Sequence, residues 1–150
     1  MTAIATTMAA LCTGLTAGVY LAFSTMMMPA LAGTSPARAL MIMRRINDLA
    51  ERPVFLIVFL ASAAGSVWLL VAGWLPEGDR DVRTTTAALL SLAAFAITVL
   101  FHVPRNRQTA LLDGDSEADL LRWQALSGQW TRGNHLRAGC AGAALAAFLM

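Results

Sequence analysis

Two histidines, His102 and His135, are the only side chains in this chain whose ordinary pKa lies close to neutral pH, apart from its two cysteines. His135 directly follows Asn134 and precedes Arg137 by two positions. An imidazole in such a polar segment can take or return a proton, so general base catalysis is one interpretation. A polar anchor or a hydrogen bond between helices is the other, and spacing alone leaves both open.

Three asparagines, Asn47, Asn106 and Asn134, come from separate segments of the chain. Amide N–H groups can donate to an oxygen that gains negative charge, so three converging amides would form an oxyanion-type site. We expect them to meet His135 at one end of the molecule. Their alternative role is to cap loops and helices. Arg137 would add positive potential to such a site, or extend its charge to the lipid headgroups.

The elements that must position these residues are long and apolar. Three stretches without a charge, residues 4–28, 53–75 and 84–103, each reach the roughly 20 residues that cross a bilayer. A fourth apolar run begins near Ala138, and its helix extends upstream. Hydrophobic residues make up 57% of the chain and charged residues 13%, which is typical of an integral membrane protein.

This pattern predicts an all-α fold, a four-helix transmembrane bundle formed by one domain over residues 1–150. An amphipathic interfacial helix should follow the first span. The spans are expected at about residues 4–28, 53–75, 84–103 and 134–150. The protein's partners would then be the lipid bilayer and a lipophilic small molecule. The small net charge of +2 forms no basic stripe, so we expect no nucleic-acid partner.

Loop charges predict the orientation of the spans. Arginine-rich loops face the cytoplasm, which would place both termini outside in a bacterial-type plasma membrane. The second loop has two arginines among three acidic residues, namely Arg80 and Arg83 with Glu77, Asp79 and Asp81. The first and third loops have four arginines each, namely Arg38, Arg44, Arg45, Arg52, Arg105, Arg107, Arg122 and Arg132.

Two loops carry helix signals of their own. Ser35 followed by Pro36 predicts a helix start, and the apolar stripe behind it predicts an amphipathic helix that lies in the interface or folds over the bundle mouth. Ser116 with Asp119 resembles a capping box that opens a helix running into the last span. Trp123 and Trp130 share one face of that helix. They form either an interfacial aromatic belt or the wall of a pocket.

Small and sulfur-containing residues indicate packing. Gly14 and Gly18 on the first span, and Ala138, Gly142 and Ala146 on the last, have the spacing of close helix contacts, and a homo-oligomer is compatible with them. Cys12 and Cys140 would be buried thiols, although a disulfide between them is conceivable. The methionines near residues 26–28 favour packing over a copper site, so we expect no metal.

Four segments, read together, resemble the anthrone oxygenase family of small membrane proteins. They are Phe23-Ser24 through Met28-Pro29-Ala30-Leu31, then Met43 with Ile46-Asn47, then Val103-Pro104-Arg105-Asn106, and last Trp130 through Asn134-His135-Leu136-Arg137. The resemblance implies a four-helix integral membrane protein. It also implies oxidation of anthrones to anthraquinones by molecular oxygen, with neither metal nor flavin and hence no cofactor.

The resemblance also assigns roles. His135 would be the base, and Asn134, Asn106 and Asn47 would bind the enolate oxygen. Trp130 would wall a flat substrate and Arg137 would add positive charge. His102 is a weaker catalytic candidate, because relatives often have asparagine at this position.

Two hypotheses of other classes remain beside an enzyme. One is a non-enzymatic membrane bundle, either a lipophile carrier or an accessory subunit. The other is a haem-binding electron carrier with His102 and His135 as axial ligands. Pro104 and the interfacial level of both histidines argue against haem.

Overall fold

The computed structural model describes residues 2–75, 78 and 81–150, and this part of the chain is helical without a β-strand. The all-α prediction is therefore confirmed. In chain order the elements are α1 (Thr2–Ala22), π1 (Phe23–Met27), α2 (Met28–Ala32), α3 (Pro36–Ala50), α4 (Pro53–Gly73), α5 (Val82–Ile97), π2 (Thr98–His102), α6 (Val103–Ala110) and α7 (Glu117–Leu149). The charged loop residues Glu77, Asp79 and Arg80 lie outside the described residues.

Three continuous helices are long and apolar enough to cross a membrane: Ala3–Ala32, Pro53–Gly73 and Val82–Ala110. The prediction of an integral membrane protein is supported for these three spans. The last helix, α7, is not among them, so a fourth span stays a prediction. Its 33 residues include polar side chains in the middle, such as Asn134 and Arg137, which lower its hydropathy.

The main contacts between long helices join α1 to α4, α4 to α5, α5 to α7 and α7 to α1. Helix α3 begins after Ser35 as predicted and folds back onto α6 and α7, burying Ala39, Leu40 and Met43. The N-terminus of α7 is capped as predicted, because Ser116 Oγ accepts a hydrogen bond of 3.1 Å from the Asp119 backbone N–H.

Two of the spans contain a π-helical turn near the same end of the molecule. In π1 the N–H of Met28 reaches back five residues to the carbonyl of Phe23, and in π2 the N–H of Val103 reaches Thr98. Each turn is followed by a proline, Pro29 or Pro104. Proline has no N–H to continue the ordinary ladder, which favours a local break in it. Such π-turns frequently lie at functional sites.

A ring of hydroxyl groups joins three helices inside the bundle. Thr13 Oγ1 of α1 lies 3.0 Å from Ser62 Oγ of α4 and 3.1 Å from Ser91 Oγ of α5, and the two serines are 3.1 Å apart. In this ring each of the three hydroxyl groups can donate one hydrogen bond and accept one. Lipid offers no hydrophobic drive for helix association, so such bonds and close backbone approach hold helices together. The close approach is made by Gly65, where a Cβ would lie 3.1 Å from Ala9 Cβ.

We predict that Ser91→Ala lowers the free energy of unfolding in detergent micelles by about 1 kcal/mol, because it breaks the ring and leaves two hydroxyls incompletely bonded. Ser66→Ala is the matched control. Ser66 is equally buried, but its hydroxyl bonds to the Ser62 carbonyl of its own helix. If the control costs as much as Ser91→Ala, the ring does not hold the three helices together.

Candidate functional site

A groove of about 540 Å³ lies where π1 and α2 meet the start of α3 and the middle of α7. One side is apolar and the other carries hydroxyl, amide and cationic groups, so an amphipathic ligand fits it. Its lining comprises Ser24, Met28, Pro29, Leu31, Ala32, Thr34, Pro36, Ala39, Trp123, Gln124, Ser127, Gly128, Thr131, Arg132 and His135. None of these is a carboxylate.

His135 lines this groove, and its residue is exposed. Its ring makes no hydrogen bond to the residues that the structure describes, so both nitrogens are available to a ligand. Arg132, one turn earlier on α7, is the other charged or titratable group in the groove. An accessible imidazole with free ring nitrogens can accept a proton from a molecule bound in the groove.

Asn134 points away from the groove and is completely buried. Its Nδ2 donates to the Tyr20 carbonyl at 2.9 Å and to Ser24 Oγ at 2.7 Å, and its Oδ1 accepts from Arg137 Nε at 2.9 Å. The amide orientation is fixed by these partners, since a carbonyl can only accept and a guanidinium can only donate. Both amide protons are used, so Asn134 has none left for a ligand.

Arg137 is a buried cation that projects into the bundle. Besides Asn134, its guanidinium contacts Thr98 Oγ1 at 3.3 Å and lies over the rings of Tyr20 and Trp130, at 4.2 and 5.0 Å from their centroids. No carboxylate is among its contacts within the described residues. Aromatic faces and neutral oxygens therefore stabilise its charge.

The two tryptophans are buried, at 3% and 5% exposure for Trp123 and Trp130, which favours the pocket interpretation over an interfacial belt. Trp123 lines the groove. Trp130 lies behind it, donates from Nε1 to Asn106 Oδ1 at 2.9 Å, and meets the His102 ring edge-on with centroids 4.8 Å apart. Asn106 thus fixes the indole ring of Trp130.

The structure does not gather the predicted residues into one pocket. His102 is buried against Phe101 and Trp130, and neither of its ring nitrogens has a hydrogen-bond partner in the described chain. The Nδ2 of Asn47 is likewise buried without a partner among these residues. Of the expected group only His135 lines the groove, whereas none of the three asparagines does.

The reason is helical geometry. Consecutive residues of an α-helix differ by about 100° around its axis, so Asn134 and His135 must face different sides of α7. Arg137 lies three positions after Asn134 and shares its face, and the two are bonded. The segment from Asn134 to Arg137 therefore directs His135 to the groove, and Asn134 and Arg137 to the interior of the bundle.

Ser24 belongs to the segment from Phe23 to Leu31 noted in the sequence, but no chemical role was predicted for it, although it is the contact between the interior network and the groove. A serine in an apolar span usually bonds back to its own helix, as Thr25 does to the Leu21 carbonyl at 2.8 Å. Pro29 is a further signal in this segment, because it marks a local break in the helix ladder.

Comparison with known proteins gives one family. A family model described as anthrone oxygenase matches residues 43–147, more than two thirds of the chain. The match includes Asn47, His102, Asn106 and the polar centre of α7, while Ser24 lies before it. No curated protein and no solved structure matches the chain significantly.

We predict that Gly133→Ala lowers the free energy of unfolding by about 1 to 3 kcal/mol, because a Cβ there would overlap the Phe101 ring of the neighbouring helix and approach His102 Nε2 to 3.2 Å. Gly139→Ala on the same helix is the control, since its Cβ would meet no atom within 4 Å and alanine favours helix. Unfolding in micelles checks both. Equal effects of the two substitutions would contradict the close packing of π2 and α7 at Gly133.

Proposed function

Because the chain belongs to the anthrone oxygenase family, we propose that it oxidises a lipophilic aromatic substrate of the anthrone type with molecular oxygen, using neither a metal nor a flavin. The observation that supports this best is His135, an accessible imidazole in a groove of about 540 Å³ with an apolar wall. That volume lies within the range of small-molecule sites.

The proposed reaction begins when His135 removes one proton from the methylene carbon between the two rings of the substrate, leaving an enolate. The enolate passes one electron to dioxygen, and the resulting carbon radical and superoxide combine to form a C–O bond. The imidazolium returns its proton to the peroxide oxygen. Loss of the second methylene proton then breaks the O–O bond, leaving a carbonyl and one water, so substrate plus dioxygen becomes quinone plus water.

The two histidines would have different roles in this scheme. His135 reaches the substrate, whereas His102 lies behind Trp130 and supports the wall through ring contacts. Of the predicted binding residues, Trp130 and Asn106 would act by keeping the wall rigid, and Trp123 is the indole that meets the substrate. For Asn47 we propose no direct contact, because it does not line the groove.

We further propose that α7 forms the fourth span, completing a four-helix bundle of one domain over residues 1–150. Arg137 is 6% exposed, while Leu136 beside it is 61% exposed, so the helix presents an apolar residue outward and its cation inward. The mean hydropathy of α7 includes the charge of Arg137, although this inward-facing side chain would not contact lipid. A lipophilic substrate could then enter the open groove from the bilayer.

A lipophile carrier is the second candidate, and the same open groove supports it. It would bind flat aromatics saturably without consuming oxygen. The haem hypothesis has less support, because His102 is packed between aromatic rings while His135 lines the groove, so the two imidazoles do not face one cavity.

We predict that His135→Ala lowers turnover of an anthrone by about 10²- to 10⁴-fold, the usual value of a general base. His102→Asn should be much milder per folded molecule, because His102 does not line the groove. Oxygen consumption and quinone absorbance in chelator-treated membranes measure both. Near-normal turnover by His135→Ala, or loss of wild-type turnover with the chelator, would contradict a metal-free base mechanism.

We also predict the orientation with both termini outside. In a background without Cys12 and Cys140, Val82→Cys at the exposed start of α5 should react with an impermeant thiol reagent in intact cells, whereas Asp115→Cys should not. Asp115 is the better position because it is exposed, while the adjacent Gly114 has φ of 85° and disfavours a side chain. The reverse labelling pattern would invert the orientation.

A further inference from the structure

We propose that Ser24 is the side chain that hydrogen-bonds the anionic oxygen of a ligand in the groove, and that it carries the influence of the buried Arg137 there through Asn134. This inference rests on the proposed function only for the identity of the physiological ligand. The ligand chemistry that it requires is an aromatic enolate or phenolate oxygen.

The first argument is the direction of the hydrogen bonds. Asn134 Nδ2 donates to Ser24 Oγ at 2.7 Å, so the serine oxygen is the acceptor in that bond. No acceptor for the serine's own proton is present among the described residues. Its usual acceptor, the carbonyl of Tyr20 four residues earlier, receives a bond from Asn134 at 2.9 Å. The hydroxyl proton is therefore available to the groove, which Ser24 lines.

The second argument is polarisation along the chain of bonds. Arg137 Nε donates to Asn134 Oδ1 at 2.9 Å, which draws electron density from the amide and makes its N–H groups stronger donors. The amide in turn polarises the serine O–H. Arg137 itself is buried and Asn134 has no free proton, so neither can touch the ligand. Ser24 is the member of this chain that reaches the groove.

The third argument is the position of His135 in the same groove. A base that removes a proton from carbon needs a donor at the oxygen where the negative charge appears. Ser24 of π1 and His135 of α7 approach the groove from two helices. In this arrangement His135 accepts the proton, and Ser24 stabilises the negative charge on the oxygen.

The experiment measures a ligand's acidity and needs no turnover. The probe is 2-hydroxyanthraquinone, whose visible absorption shifts when its phenol ionises, bound to the purified full-length protein in nanodiscs. We expect the bound phenol to ionise about one to two pH units below the free probe, the value of a hydrogen bond to a charged oxygen. Ser24→Ala should remove about one unit of this shift, and Ser24→Thr should retain it.

Thr25→Val is the matched control, because Thr25 is adjacent but its hydroxyl bonds to the Leu21 carbonyl and it does not line the groove. It should leave the probe's pKa unchanged. Arg137→Met tests the relay. We expect it to raise the bound probe's pKa in the wild-type background and to have little further effect once Ser24 is alanine. A full Arg137 effect in the Ser24→Ala background would overturn the relay, and if Arg137→Met does not fold, the Ser24 pair still decides the donor.

An unchanged shift in Ser24→Ala, a shift that disappears only in Arg132→Gln, or failure of the wild type to bind the probe would each overturn the inference. These results are separable from the oxygenase proposal. Anthrone turnover with a Ser24-independent shift refutes only the role of Ser24. A Ser24-dependent shift without anthrone turnover refutes only the oxygenase, and the groove is then an oxyanion-binding site of a carrier.

Discussion

The organisation of this protein depends on one constraint, the burial of the Arg137 cation without a carboxylate partner among the described residues. Its partners are Asn134 from its own helix, Thr98 from the start of π2 and the ring of Tyr20 from α1. Each must hold a defined place, because a buried cation without compensating contacts is costly. The two π-turns lie beside these partners. The need to surround one guanidinium thus fixes how α1, α5 and α7 meet.

Much of the fold could be predicted because its signals are local. Long stretches without charged residues indicated three spans. Ser35 with Pro36 indicated the start of α3, and Ser116 indicated the start of α7. The π-turns were not predicted, because they arise from competition between proline, neighbouring side chains and the helix ladder. The fourth span stays a prediction, made by following the last apolar run upstream through the polar residues of α7.

The site was less predictable, because adjacency in sequence was taken for adjacency in space. Asn134 and His135 are neighbours along the chain but point to different sides of the helix. The pairing of Asn134 with Arg137 follows from helical spacing and could have been inferred. The contact with Ser24 joins residues 110 positions apart. It depends on how α1 and α7 pack, which no local pattern specifies.

The buried guanidinium also has a consequence for biogenesis. A ribosome delivers α7 after α1 and α5, so Tyr20, Ser24 and Thr98 have already left the exit tunnel when Arg137 emerges. Among the long helices that the structure describes, α7 is long enough to cross a bilayer, but its polar and charged residues keep it below the hydropathy of the three spans. As the proposed fourth span, α7 would enter the bilayer together with its docking on the helices that preceded it, and the translocon would have to hold those helices nearby until the arginine has partners.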